Sequence, residues 1–410
     1  MLAALWPASA LAHASFVRSD PPDLCGPLAQ PRVATNDPRC QTGVVLDQAP
    51  GSVRITFSEP VQLAGRGIRV LSPSGKPVQQ GKALVEGEQA TVHVQADGQG
   101  TYIVDWQVLS ADTHPARGRF AFSVGQPSAL AGTGVSDVGQ VAPLGLALQT
   151  LARWLHFAGY ALAFGTLGVA LLTRSFAGGA QWRLTNAGVV LLLLAEPLAL
   201  VGQTASLGVD QALDGDALTD ALASPFGRLL AFRLAAALLL WVASGSLQGG
   251  PDDVRPNRKL SVGIAVGLGA TLAAIDGLGQ HAASFQPQGL GLAVHGLHLM
   301  AMAVWLGGVV LFAVERERRS GIGKIVGVAL AVVAVTGLAM ALVHIRQPDD
   351  VIATVYGQVL AGKQVLLLAA AVLGWLALRR PKWRPWLGEL SALVLLIGLA
   401  GLLVSLPPPR

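Results

Sequence analysis

Charge is what this sequence has least of. Asp, Glu, Lys and Arg make up 13% of its 410 residues, against about 25% in an ordinary soluble domain. A wholly soluble chain is therefore excluded. The deficit is uneven, because the first 140 or so residues carry a normal polar mix. The remainder is rich in Leu, Ala, Val and Gly, with long uncharged runs, so the chain divides into a soluble part and a part built for lipid. Cysteine is scarce too, with only Cys25 and Cys40. No CxxC spacing exists, which argues against a redox or zinc motif. In an oxidising compartment two nearby cysteines pair, and a Cys25–Cys40 disulfide is expected. No GxxxxGK[ST] loop and no basic-aromatic patch occur, so neither ATP-driven work nor a nucleic-acid partner is expected. The net charge of +5 comes mainly from Arg and Lys in short loops between apolar runs, where it reads as a topology signal.

Residues 1–12 read MLAALWPASALA and end in Ala10-Leu11-Ala12, the small-x-small pattern of a leader cleavage site. The segment is short and lacks a basic start, so it reads as a remnant leader. Cleavage after Ala12 leaves His13 first, offering both an amine and an imidazole to a metal. Residues 13–126 then show period-2 alternation. Val53, Ile55 and Phe57 alternate, as do Val92 and Val94, Tyr102, Val104, Trp106 and Val108, and Phe120, Phe122 and Val124. Turn signals at Ser72–Lys76 and Ala96–Gly100 separate them, and several short strands of this kind predict a β-sandwich or barrel. His93 alternates against Val92 and Val94 and is expected to face solvent. Residues 127–145 read as a flexible linker.

One segment of this domain carries chemistry, Ser110-Ala111-Asp112-Thr113-His114-Pro115. Asp112 and His114 stand two apart, on one side of an extended chain, and Pro115 biases His114 toward extended backbone. A carboxylate beside an imidazole is part of a metal site, and a turn Asp beside a surface His is the plain alternative. With HASFVRSDPP from His13, APGSVRITFSEPV from Ala49 and GTYIVDWQVLSADTHPARGRFAFSV from Gly100, the domain resembles the CopC copper-binding family. The resemblance implies a secreted, cupredoxin-like (Ig-like Greek-key) β-barrel. It also implies a Cu(II) site formed by His13, Asp112 and His114. Two departures stand out. The stretch from Cys25 to Cys40 is an insertion after the first strand, and the Met-rich segment of some relatives is absent, so a site for Cu(II) alone is expected.

Residues 146–406 are expected to form an all-α polytopic bundle of about eight spans, at 148–172, 184–206, 226–246, 260–279, 289–313, 324–345, 358–378 and 386–406, with a tail at 407–410. Basic residues fall between spans 1 and 2, 3 and 4, 5 and 6, and 7 and 8. The loop between spans 2 and 3 is acidic, with Asp210, Asp214, Asp216 and Asp220. The positive-inside rule then puts both termini and the β-domain outside a bacterial inner membrane.

Polar residues within spans are expensive and are functional candidates. His156, His281, His295, His298 and His344 all fall toward the outer side of this topology. His295, His298 and Met302 share one helix face at i, i+3 and i+7, and Met340 and His344 share one at i, i+4. Imidazole suits several metals, while thioether sulfur selects Cu(I). Ordinary packing is the alternative for the two Met, and helix-to-helix hydrogen bonding for the five His. Glu196, Asp276 and Lys363 are candidates for pairing or proton relay. The RWLHFAGY-like first span, Gly279-Gln280-His281-Ala282 and the His295, His298, Trp305, Gly307, Gly308 pattern resemble the CopD family of inner-membrane copper proteins. A fusion in this order implies copper import or copper resistance, with copper ions, the lipid bilayer and periplasmic copper chaperones as partners and no enzymatic step. A membrane haem or quinone oxidoreductase using the same His is an alternative. A copper sensor or buffer that transports nothing is another.

Overall fold

The computed structural model describes residues 14–24, 39–96, 98–110, 115–128, 142–173, 179–245, 258–278, 288–314, 319–345, 347–379 and 385–406. His13, Cys25, Asp112, His114, His281 and most of the linker lie outside these residues. The chain forms two compact units, which are described separately. One comprises residues 1–146 with 201–225, and the other 147–200 with 226–410.

The first unit holds two four-stranded sheets. β1 (Phe16–Asp20), β3 (Ser52–Phe57), β6 (Gln89–Val94) and β5 (Gln79–Glu86) form one, in the order β1-β3-β6-β5. β2 (Val44–Leu46), β8 (Pro115–Val124), β7 (Gly100–Ser110) and β4 (Val61–Leu71) form the other, in the order β2-β8-β7-β4. All pairings are antiparallel except β2 with β8. The alternating residues point into one core between the sheets, and Val53, Ile55, Val104, Phe120 and Phe122 are fully buried. This is the β-fold expected from period 2, because each strand offers one apolar face and only a second sheet covers it. Trp106 sits at the centre, stacked on Phe16 at 6.2 Å and edge-on to Phe57 at 5.2 Å. His93 is exposed on β6. Cys40 is buried in α1 (Arg39–Thr42). The expected Cys25–Cys40 bond falls on a residue outside those described.

The loop between the second and third spans was legible only as acidic, yet it is structured and belongs to the first unit. A 3-10 turn at Val209–Gln211 and a short helix at Gly215–Ala223 compose it. Asp214 caps that helix, its side chain accepting from the Ala217 N–H at 2.9 Å. Arg66 on β4 pairs with Asp210 at 2.5 Å. The Gln107 amide and the Arg117 guanidinium both donate to the Leu207 carbonyl at 3.2 Å.

The second unit is helical. In chain order its helices are α2 (Pro143–Tyr160), a π turn (Ala161–Gly165) and α3 (Thr166–Leu172), then α4 (Gly179–Leu207). After the short helix of the first unit, here α5, come α6 (Pro225–Gly245), α7 (Arg258–Leu278), α8 (Gln288–Val314) and α9 (Arg319–His344). The series ends with α10 (Asp350–Ala353), α11 (Val355–Arg379) and α12 (Pro385–Ser405). Among the described residues seven helices are long and apolar enough to cross a membrane, and α7 contributes a shorter apolar stretch, Gly263–Gly277. Glycine sets the closest crossing. A Cβ on Gly165 would lie 1.9 Å from the Ala303 carbonyl oxygen, and one on Gly307 would lie 2.4 Å from that of Ala161. Small residues let the π turn and α8 touch backbone to backbone, as lipid-embedded helices do.

Candidate functional site

In the β-unit, the described residues around the expected Cu(II) ligands converge. β7 ends at Ser110, opposite Val61, and Leu109 pairs with Pro115 at the start of β8. Ser58, in the turn before Val61, exchanges two hydrogen bonds with Ser15. The Ser15 N–H donates to Ser58 Oγ and the Ser58 N–H donates to the Ser15 carbonyl, both at 2.9 Å. The chain following His13 and the strand ends flanking Asp112 and His114 therefore share one end of the sandwich. The three ligands themselves lie outside the described residues.

In the helical unit, five of the expected side chains meet. His295, His298 and Met302 from α8, with Met340 and His344 from α9, line a single cavity walled also by α11 and α12. The i, i+3, i+7 and i, i+4 spacings put each set on one face, and the antiparallel α8–α9 pair turns both faces inward. Hydrogen bonding orders the rings. Thr336 Oγ1 donates to the Val332 carbonyl at 2.6 Å, so its oxygen accepts from His298 Nδ1 at 2.9 Å. His344 Nδ1 donates to the Met340 carbonyl at 2.7 Å. In each neutral ring the lone pair is then on Nε2, the tautomer that binds a metal through that atom. His295 Nε2 is buried with no hydrogen-bond partner among the described residues. No three His, Cys, Asp or Glu side chains among the described residues stand close enough to hold a metal ion as they are. The cavity gathers ligand-type groups without closing them into a coordination sphere.

His156 does not join them. Its Nδ1 lies 2.9 Å from Glu196 Oε1 and its Nε2 lies 2.9 Å from Asp276 Oδ2. Arg233 Nε completes the group at 2.8 Å from Asp276 Oδ1. Four helices, α2, α4, α6 and α7, each supply one member, and the His and both acids are buried. Both ring nitrogens being engaged, His156 is placed as a cross-link rather than a ligand. Glu196 and Asp276 each pair with His156 and Arg233, whereas Lys363 lines the His–Met cavity. Arg233 went unnoticed in the sequence, since its acidic partners come from other helices, α4 and α7.

The first unit is a β-sandwich and the second a bundle with the length and apolarity of membrane spans, so the class is a multi-pass membrane protein with an N-terminal β-domain. That domain is a CopC domain. Residues 36–125 match the family described as "CopC domain", a stretch that contains Asp112 and His114 but not His13. The copper transport protein CutJ of Bacillus subtilis (strain 168) is 27% identical over 364 residues, covering 80% of this chain and 64% of that relative. The chain thus spans just under two thirds of that relative's length. Protein YobA of Escherichia coli (strain K12) is 31% identical over 80 residues, 18% of this chain and 64% of that one. Among solved structures, CopC from Methylosinus trichosporium OB3b matches at 23% identity over 29% of this chain and 100% of its own, with a TM-score of 0.21. The helical part is consistent with the CopD-like membrane domain expected from the sequence.

Proposed function

We propose that this chain is a copper carrier of a bacterial inner membrane. Its β-domain captures Cu(II) outside through His13, Asp112 and His114, and the helical unit takes copper at the His–Met cavity. The observation that carries the reading is the meeting of His295, His298, His344, Met302 and Met340 on one cavity. Imidazole and thioether together are a copper-type donor set, and the thioethers suit Cu(I) once an external one-electron donor has reduced the captured Cu(II). The CopC domain and the likeness to a copper transport protein support copper as the cargo. The basic loops support a cytoplasmic side opposite the β-domain. Covalent linkage of the two parts raises the local concentration of donor copper. The chain acts as a carrier and not as an enzyme, with periplasmic copper chaperones as the upstream source and import as the direction.

The test is copper accumulation in cells lacking their own importer. Accumulation should rise with the intact protein and fall to the empty-vector level with His298→Ala plus His344→Ala. Equal accumulation in both would contradict import, and a haem absorbance band in the purified protein would favour the oxidoreductase alternative.

A further inference from the structure

A second cavity lies along the same four helices. It is lined by Trp305, Val309 and Phe312 of α8, Val326 of α9, Trp375 of α11 and Glu389 of α12. Trp305 belongs to both cavities and is 1% exposed. The order of residues agrees on every helix. From the first cavity to the second, α8 runs from His295 past Trp305 to Phe312 and α9 runs from His344 back to Gly323. Likewise α11 runs from Lys363 to Trp375, and α12 from Val404 back to Glu389. At about 1.5 Å per residue, the α8 stretch alone covers roughly 25 Å, most of a hydrocarbon core of about 30 Å.

The second cavity is apolar except for one group. Glu389 is 4% exposed and has no hydrogen-bond or ion-pair partner among the described residues. A buried carboxylate is costly unless a proton or a cation meets it. Space is made for it, because a Cβ on Gly374 would come within 2.7 Å of Glu389 Oε1.

We infer that the two cavities are halves of one passage for a cation, closed at Trp305, with Glu389 as the cation-binding carboxylate of the second half. The cation is copper on the function proposed above, on which this inference rests. Copper leaves the soft His–Met donors, passes when the indole swings aside, and meets a hard oxygen donor beyond it.

Two measurements test the passage. In the first, Val309→Cys is placed in the second cavity of the full chain, and intact cells are treated with a membrane-impermeant thiol reagent, with the parent chain as control for Cys25 and Cys40. Val309→Cys should stay unlabelled behind Trp305 and become labelled with Trp305→Ala, or with Trp305→Leu where the Ala variant does not reach the membrane. Equal labelling with and without Trp305 would overturn the gate. In the second, Glu389→Gln should reduce copper accumulation to the empty-vector level, while Glu389→Asp recovers part of it. Full accumulation with Glu389→Gln would overturn the carboxylate's role. Labelling does not depend on copper. A protein that accumulates no copper yet shows the Trp305-dependent labelling would overturn the copper reading and leave the passage standing.

Discussion

His156 Nδ1 stands 2.9 Å from Glu196 Oε1, and its other ring nitrogen stands equally close to Asp276. A neutral imidazole has one N–H and one lone pair, so two ionised carboxylates at these distances require an imidazolium or a shared proton. With Arg233 the group balances two acids against two bases inside the bundle. Removing one partner of a buried pair strands the others, at a cost of about 3–5 kcal/mol. His156→Ala should therefore cut the yield of folded protein and lower its melting temperature. His298→Ala, which loses a hydrogen bond to Thr336, should cost about 1–2 kcal/mol. Thermal unfolding of both purified variants checks the order. A milder effect for His156→Ala would count against the cross-link.

The segment from Val201 to Pro225 should be held to the sandwich by shape more than by charge. The Arg66–Asp210 pair is exposed on both sides, 51% and 60%, and such pairs contribute about 0–1 kcal/mol. Gly65 is the tighter point. It adopts φ +52°, and a Cβ there would lie 2.3 Å from Gln211 Oε1. Ala in the left-handed region is strained before any clash is counted. Gly65→Ala should expose the loop to limited proteolysis, while Arg66→Ala should leave it protected at moderate salt. The reverse order would show that charge holds the loop.

Phe16 ties the chain behind His13 to the sandwich through Trp106 and Phe120. Truncation of a buried Phe typically costs about 3–5 kcal/mol. Phe16→Leu, a smaller loss, should keep the fold and weaken Cu(II) binding to the full chain, because the N-terminal donor is then less firmly placed. Cu(II) titration followed by electron paramagnetic resonance reads this directly. Unchanged affinity would separate the N-terminal segment from the site.

Much of this was legible in the sequence. Val53, Ile55 and Phe57 alternate because alternate residues of a strand face one sheet side, and all are at most 1% exposed. The helices begin and end within a few residues of the expected spans, since apolar run length is set by the bilayer. The His–Met cavity was legible in part, because 3- and 4-residue spacings fix a face within one helix. Which faces meet was not. His156 reads like the other His along the chain, but its partners come from α4, α6 and α7, and these helices are apolar on most sides. Their rotation is fixed by packing and by the buried ion pairs themselves. Glu389 was missed for a related reason. It stands at the head of the last expected span, a few residues after the basic stretch Arg379 to Arg384, and only the fold turns it toward Trp305's second cavity.

The two proposed copper sites should be separable by mutation. Asp112→Asn with His114→Ala should abolish the Cu(II) resonance signal of the full chain and leave Cu(I) binding in place. Loss of both on this one change would mean that the β-domain holds the copper for the whole chain.

The central claim is that the cavity of His295, His298, His344, Met302 and Met340 holds copper, and X-ray absorption of the purified full chain loaded with Cu(I) tests it most directly. The spectrum should show sulfur and nitrogen scatterers around copper, with the sulfur contribution lost in Met302→Leu plus Met340→Leu. A spectrum unchanged by that double substitution, or no Cu(I) retained in the Asp112→Asn, His114→Ala background, would contradict it.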